Sequence, residues 1–189
     1  MKNYLIFILI SVFVIILGTS CKKDKTTAVD TGFVKKIITD DSVKLYSYYF
    51  PIESVVVGYK FYVKKPVTIT KLGCYLGSAG KHQLTLYHGT LLPSISLFIN
   101  PIAQVSIDVT SQKTWFYEDI APLKLAIDSF FLVIDMPAHS FYYETVDINP
   151  LPANDYIQMG CPITGIMSSN IWAEYPDNKI WGLVDFIYK

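Results

Sequence analysis

The sequence predicts an all-β fold, a single sandwich or jelly-roll-like domain, and three observations carry that prediction. Short runs of alternating apolar and polar residues recur from Phe33 onward; Gly, Pro, Asn and Asp separate them at intervals of roughly 8 to 12 residues; and no stretch holds helical periodicity for three turns. Composition points the same way: 15% of the 189 residues are aromatic, Tyr and Phe above all, and such side chains suit a pleated, half-buried surface. The length is that of one domain, and 51% hydrophobic residues suffice for a sizeable core.

Residues 1–20 are expected to be an export signal and not part of the fold. Lys2 supplies a positive start, Tyr4 to Leu17 is an uncharged apolar run, and Gly18-Thr19-Ser20 are small residues ahead of Cys21. The run falls short of the roughly 20 residues that a spanning helix needs. The junction resembles the lipobox of bacterial lipoproteins in the relaxed form familiar among Bacteroidetes. Gly18 stands where Leu is usual, Leu17 comes one residue earlier, and Cys21-Lys22-Lys23-Asp24-Lys25 looks like the charged stretch that follows the Cys there. The resemblance implies that Cys21 is lipidated and becomes the mature N-terminus. The chain would then be held to a membrane by its acyl chains, each buried methylene contributing about 0.8 kcal/mol. The implied location is the bacterial outer membrane, on its periplasmic face or at the cell surface. Residues 21–33 are then the lipidated Cys and a polar tether without periodicity, and residues 34–189 the sandwich domain.

The strands follow in order. Val43–Phe50 is an early strand or edge segment ended by Pro51, and Val55–Val63 is the next, with Gly58 as a bulge or a point of close backbone approach. After the Lys64-Lys65-Pro66 turn the apolar phase slips: Val67 and Ile69 share one parity, Leu72, Cys74 and Leu76 the other. A bulge near Thr70 and Lys71 reconciles them. Gly77-Ser78-Ala79-Gly80 is a loop, and His82, Leu84, Leu86 and His88 fall on one face of the strand that follows. Ile102–Val109, Trp115–Tyr117 and Pro122–Ile127 are further strands, and the continuous apolar run Phe130–Met136 is expected at the centre of a sheet. Phe141–Tyr143 and Tyr156–Met159 are short strands, and Ile180–Tyr188 closes the chain with Ile180, Val184, Phe186 and Tyr188 on one side.

Gly58-Tyr59-Lys60-Phe61, Val67 to Tyr75, Gly80 to Tyr87 and Gly89-Thr90-Leu91-Leu92 occur in the order seen in a family of secreted bacterial β-sandwich modules, catalogued as domain of unknown function 4082. Trp115, Ala121-Pro122-Leu123-Lys124-Leu125 and Phe131-Leu132-Val133-Ile134 resemble its second half, so the likeness covers residues 55–136. It implies a scaffold akin to carbohydrate-binding sandwiches that accompany extracellular enzymes or adhesins, and it implies no catalytic residues.

Charge narrows the function classes. All 16 basic residues are Lys, and removing residues 1–20, whose one charge is Lys2, takes the formal net charge from 0 to −1. A nucleic-acid surface calls for a basic excess and the planar fork of Arg, so that class is set aside. No Gly-x-Ser-x-Gly elbow occurs, and the carboxylates of Asp40-Asp41 and of Glu118-Asp119 are adjacent in sequence, which on a strand turns them to opposite faces. His82 and His88 share a face but lie about 20 Å apart along a strand, too far for one metal ion, and His139 is distant in sequence. Asp40, Asp41, Asp147 and Asp155 are loop carboxylates without the Asp-x-Asp ladder of a calcium loop. The expectation is therefore a non-enzyme with no cofactor and no metal.

Two constellations remain. Cys74 and Cys161 are the cysteines left after Cys21, and in an oxidising compartment they are candidates for a disulfide; the alternative is two buried thiols. Trp172, Tyr175 and Trp181, with Glu174, Asp177 and Asn178 nearby and Phe141, Tyr142 and Tyr143 upstream, fit a ligand site. Flat rings stack on the apolar face of a sugar while carboxylates and amides take its hydroxyls. The alternative for each ring is the sandwich core. The expected function is a lipid-anchored module that binds an extracellular ligand, a glycan first, or a structural or adhesive envelope protein with a protein partner.

Overall fold

The structure, a computed structural model, describes residues 31–39, 43–50, 53–89, 101–145, 148, 150–166, 171–176, 178–180 and 182–189, with the backbone alone at Phe50, Glu144 and Ile171. The export signal, Cys21 and the tether up to residue 30 lie outside the described residues, all of which belong to the compact unit Thr31–Lys189. Among the described residues the chain forms one short helix, α1 (Phe33–Ile38), and eleven strands. These are β1 (Leu45–Phe50), β2 (Val55–Val63), β3 (Val67–Tyr75), β4 (Gly80–His88), β5 (Pro101–Val109), β6 (Trp115–Leu125), β7 (Ser129–Met136), β8 (Ser140–Thr145), β9 (Ile157–Ile166), β10 (Ile171–Glu174) and β11 (Val184–Tyr188).

The strands form a six-stranded sheet in the order β10-β9-β2-β7-β4-β5, a three-stranded sheet β11-β3-β6 and a two-stranded ribbon β1-β8, every pairing antiparallel. The chain crosses between the sheets early: β2 lies in the larger sheet, β3 in the smaller, and β4 returns to the larger. Between the two sheets lies one core. Val57, Tyr59 and Phe61 of β2, Leu84 and Leu86 of β4, and Leu132 and Ile134 of β7 meet Ile69, Leu72 and Cys74 of β3 and Val184 and Phe186 of β11. This is the all-β sandwich that the alternation predicts.

Several local expectations are met, each for a reason visible in the registers. β3 slips where its apolar phase does: Ile187 of β11 pairs with Lys71 and Tyr188 with Ile69, leaving Thr70 as an extra residue. Val67 and Ile69 before the slip and Leu72 and Cys74 after it therefore all point into the core. On the other side of β3, Ile69 pairs with Leu123 and Lys71 with Asp119, so Ile120-Ala121-Pro122 bow out of β6 opposite Thr70. Gly58 is the point of close approach, since a Cβ there would run into the backbone of Leu132 and Val133; the bulge nearby belongs to the partner strand β9, where Gly160 and Cys161 stand opposite Lys60 alone. β7 lies between β2 and β4 and buries both faces, as a continuous apolar run should.

Other expectations need correction. Phe33 is not tether: it is buried and stacks on Phe186 with ring centroids 5.7 Å apart, and Phe33–Ile38 is helical. At six residues α1 is too short for its Phe33-Val34-Ile37-Ile38 face to register as a period. Trp115–Tyr117 and Pro122–Leu125 are parts of one strand, because β6 is the edge of its sheet and an edge tolerates Pro122 at a bulge. β9 runs to Ile166, beyond the expected Met159, and β10 has no counterpart in the sequence reading.

Candidate functional site

The ribbon β1-β8 holds a cluster of solvent-exposed aromatic side chains. Leu45-Tyr46-Ser47-Tyr48-Tyr49-Phe50 is β-favouring throughout, and it pairs with Ser140–Thr145 in unbroken register from Leu45↔Thr145 to Phe50↔Ser140. Tyr46 is 54% exposed, Tyr48 48%, Tyr49 46% and Phe141 42%. Tyr49 and Phe141 are directly opposed and their ring centroids lie 4.7 Å apart; on the other face Tyr48 stacks on Tyr142 at 5.7 Å. His139 takes a left-handed backbone (φ 63) in the turn before β8, and its Nδ1 comes within 3.0 Å of Tyr49 Oη.

β8 is fixed to the sandwich along its second edge. Gly77 N–H donates to Phe141 O, Gly182 N–H to Tyr143 O at 2.9 Å, and Thr145 N–H to Ile180 O, while Ile180 N–H donates to Thr145 Oγ1. Tyr142 and Tyr143 are buried by the core cluster, and Tyr143 packs on Tyr75 at 5.3 Å. The ribbon is thus a firm mount that carries exposed rings, three on its outer strand and Phe141 on β8.

The C-terminal aromatic group does not assemble as the sequence suggested. Trp172 is 9% exposed and packs with Val56, Phe131, Val133 and Ile163 on the outer face of the six-stranded sheet, edge-on to Tyr87 at 5.8 Å, so it presents no open stacking face. Glu174 is engaged: Lys60 Nζ lies 3.1 Å from its Oε1, and the Cys161 thiol donates to Oε2 at 3.2 Å. Lys60 also sits over the rings of Tyr62 and Phe131, each at 5.5 Å. Burial draws its pKa down, but Glu174 outweighs this and the net shift is upward. Tyr175, 42% exposed, is the member of the group open to solvent. Trp181 and Asp177 lie outside the described residues.

The two cysteines are free thiols and not a disulfide. Cys74 belongs to the inter-sheet core, whereas Cys161, beside the Gly160 bulge, has turned to the outer face where Glu174 lies. Burial pushes both thiols up to about 12, with Glu174 adding to the shift at Cys161.

The histidines stay apart. His82 is buried with Nδ1 3.2 Å from Asp135 O, and burial lowers its pKa. His88 Nε2 meets Asp128 Oδ2 at 2.8 Å, and this half-exposed pair borders a cavity of about 240 Å³ floored by Phe130, Leu123 and Leu125. Among the described residues no three His, Cys, Asp or Glu converge as metal ligands. Asp155 is exposed; Asp40, Asp41 and Asp147 lie outside the described residues.

One chemically distinctive residue escaped the sequence reading. Asp185 on β11 is fully buried, and four donors saturate its carboxylate: Val34 N–H at 2.7 Å, Lys35 N–H at 2.9 Å, Phe186 N–H at 2.7 Å and Tyr117 O–H at 2.7 Å. It caps the first turn of α1 from a strand some 150 residues away in sequence. Gly32 precedes that turn because a Cβ there would strike the Asp185 carboxylate and the Tyr117 hydroxyl. Burial raises the Asp185 pKa to about 6 against the pull of its four donors. An acid in the apolar run Val184-Asp185-Phe186 was the available signal.

No family model matches the chain, no curated protein matches it, and no solved structure matches it. The site therefore rests on its own geometry. Among the described residues no helix is long and apolar enough to cross a membrane.

Proposed function

We propose that the protein is a lipid-anchored cell-envelope β-sandwich that binds an extracellular glycan as a non-catalytic module, with the β1-β8 ribbon as its contact surface. The observation that carries this reading is the presentation of Tyr46, Tyr48, Tyr49 and Phe141 to solvent on a ribbon fixed to the core. Large rings kept in water forgo the burial that stabilises Tyr59 and Phe61, and a sugar's C–H face regains it by stacking. Tyr49 Oη, His139 and Ser47 stand ready for the hydroxyls. The anchor is supported by the Leu17-Gly18-Thr19-Ser20-Cys21 pattern and places the module at the outer membrane, on the periplasmic face or the cell surface.

A glycan array read with the wild type and with Tyr49→Ala/Phe141→Ala tests the contact surface. Saturable binding that the double variant loses without unfolding is the expected result; binding that survives the double variant would overturn the ribbon as the site. For the anchor, Cys21→Ala is expected to move the protein out of the membrane fraction, and undiminished membrane retention would refute lipidation. A structural or adhesive role with a protein partner is the second reading, favoured by one observation: among the described residues β1 is paired on one side alone.

A further inference from the structure

The free edge of β1 differs from every other sheet edge among the described residues. β10 is four residues long and ends in the ion-paired Glu174. β5 opens with Pro101 and carries Asp108; β6 contains Pro122, Glu118, Asp119 and Lys124. β11 is flanked by α1 through Asp185 and Phe33, and the second edge of β8 is bonded to Gly77, Ile180 and Gly182. Short length, Pro, charge and cover are the devices that stop edges from pairing. Among the described residues β1 has no Pro, no charge and no cover on this edge: Leu45–Phe50 is uncharged, without Pro or Gly, and rich in β-favouring rings.

The backbone of β1 also fixes which residues face outward. Phe141, Tyr143 and Thr145 bond on the far side of β8, so Ser140, Tyr142 and Glu144 bond towards β1, to Phe50, Tyr48 and Tyr46. The N–H and C=O groups of Leu45, Ser47 and Tyr49 then point away from β8. We propose that this edge pairs antiparallel with the same edge of a second copy of the chain, about a two-fold axis at Ser47.

That register matches every outward-facing group of Leu45–Tyr49. Centred on Ser47, Leu45 meets Tyr49 of the second copy, Ser47 meets Ser47 and Tyr49 meets Leu45, so every outward-facing residue finds an outward-facing partner. Tyr46 and Tyr48 of the two copies then oppose each other as non-hydrogen-bonded pairs, where side chains approach most closely. Centring on Tyr48 instead would set Leu45 against Pro51, which has no N–H to give. Lys44 meets Phe50 and never its own counterpart, so no like charges face each other. The result is a four-stranded sheet β8-β1-β1-β8 across the dimer. The pairing stands independently of the glycan reading, although it would join the aromatic faces of two modules into one surface.

The test is a cross-link that depends on register. Two hydrogen-bonded Ser47 positions place their Cα atoms about 5.5 Å apart, inside the range a disulfide spans. Full-length Ser47→Cys in its own membrane, oxidised with copper phenanthroline, is expected to give a reductant-sensitive band at twice the monomer mass; Asp108→Cys on the exposed β5 edge is the control. No such band from a folded Ser47→Cys protein, an equal band from Asp108→Cys, or a cross-link to a different protein would each overturn self-pairing. Ser47→Lys sets two ammonium groups together at the axis and should weaken dimerisation about tenfold or more by sedimentation of the detergent-solubilised chain. An unchanged dimerisation constant would contradict the proposed register. Glycan binding is read separately on the same proteins, so its presence or absence decides nothing about the dimer.

Discussion

Tyr59 and Tyr49 are both strand tyrosines in alternating runs, yet one is fully buried and the other nearly half exposed. The difference lies in what stands opposite. Tyr59 on β2 faces a second sheet, and its ring meets Phe61 at 6.2 Å inside a core that β3 and β11 close from the other side. Tyr49 on β1 is 46% exposed, and the rings it meets among the described residues, Phe141 and His139, belong to the same ribbon and its turn. The same residue type stabilises the fold in the first place and is available for recognition in the second.

The largest contrast between the two regions is energetic. Phe61 is buried against Phe186 at 4.7 Å and Phe130 at 5.6 Å, so Phe61→Ala is expected to lower unfolding stability by about 3–5 kcal/mol. Tyr48→Ala removes one cross-strand stack on an exposed face and is expected to cost under about 1 kcal/mol. Urea unfolding of both variants measures the pair. Equal losses would make the ribbon part of the core and remove the ground for treating its rings as a presented surface.

The sandwich was far more legible than the ribbon. Residues such as Val67, Ile69, Leu72 and Cys74 carry their fate in local parity, and even the bulge at Thr70 leaves its mark as a change of phase. Whether Tyr48 or Trp172 faces water is not a local property. Val43–Phe50 was readable as a strand, but the exposure of Tyr46, Tyr48 and Tyr49 depends on which described segments pair and pack beside it, β8 on one side. Trp172 sits in a short strand whose outer-face neighbours Val56 and Phe131 come from distant segments, with Ile163 from the preceding strand. Asp185 and α1 are the extreme case, since the cap of a helix at residue 33 is supplied from residue 185.

Asp185 offers the second contrast, because its burial makes its charge state depend on folding. Its pKa rises from 3.8 to about 6, so between these values the folded protein holds a proton that the unfolded chain has released. This contribution to stability is present below about pH 4 and is lost as pH rises through 6. Asp135 on the outer face shifts in the same direction through burial, whereas His82, whose pKa burial lowers, loses stability as pH falls through its unfolded value. Comparison with Asp185→Asn cancels both. From pH 7 to pH 4 the wild type should gain up to about 3 kcal/mol relative to the variant, measured by denaturant titration at each pH. A constant difference would mean that the carboxylate stays ionised in the fold and that the four donors outweigh its burial.

The smallest effect decides between the ribbon and the outer face of the six-stranded sheet. Lys60→Met keeps the side-chain stem over Tyr62 and Phe131 but removes the partner of Glu174, a carboxylate exposed enough to recover part of its hydration. The expected cost is about 1 kcal/mol or less, as for other pairs that reach solvent on one side. Glycan binding should not change, because Glu174 is committed to Lys60 and Cys161 and Trp172 is covered. If Lys60→Met abolished binding while Tyr49→Ala/Phe141→Ala left it intact, the ligand would sit on Tyr175 and the freed Glu174 side of the sheet. The exposed tyrosines of β1 would then belong to chain pairing alone, since the geometry of that edge does not depend on any sugar.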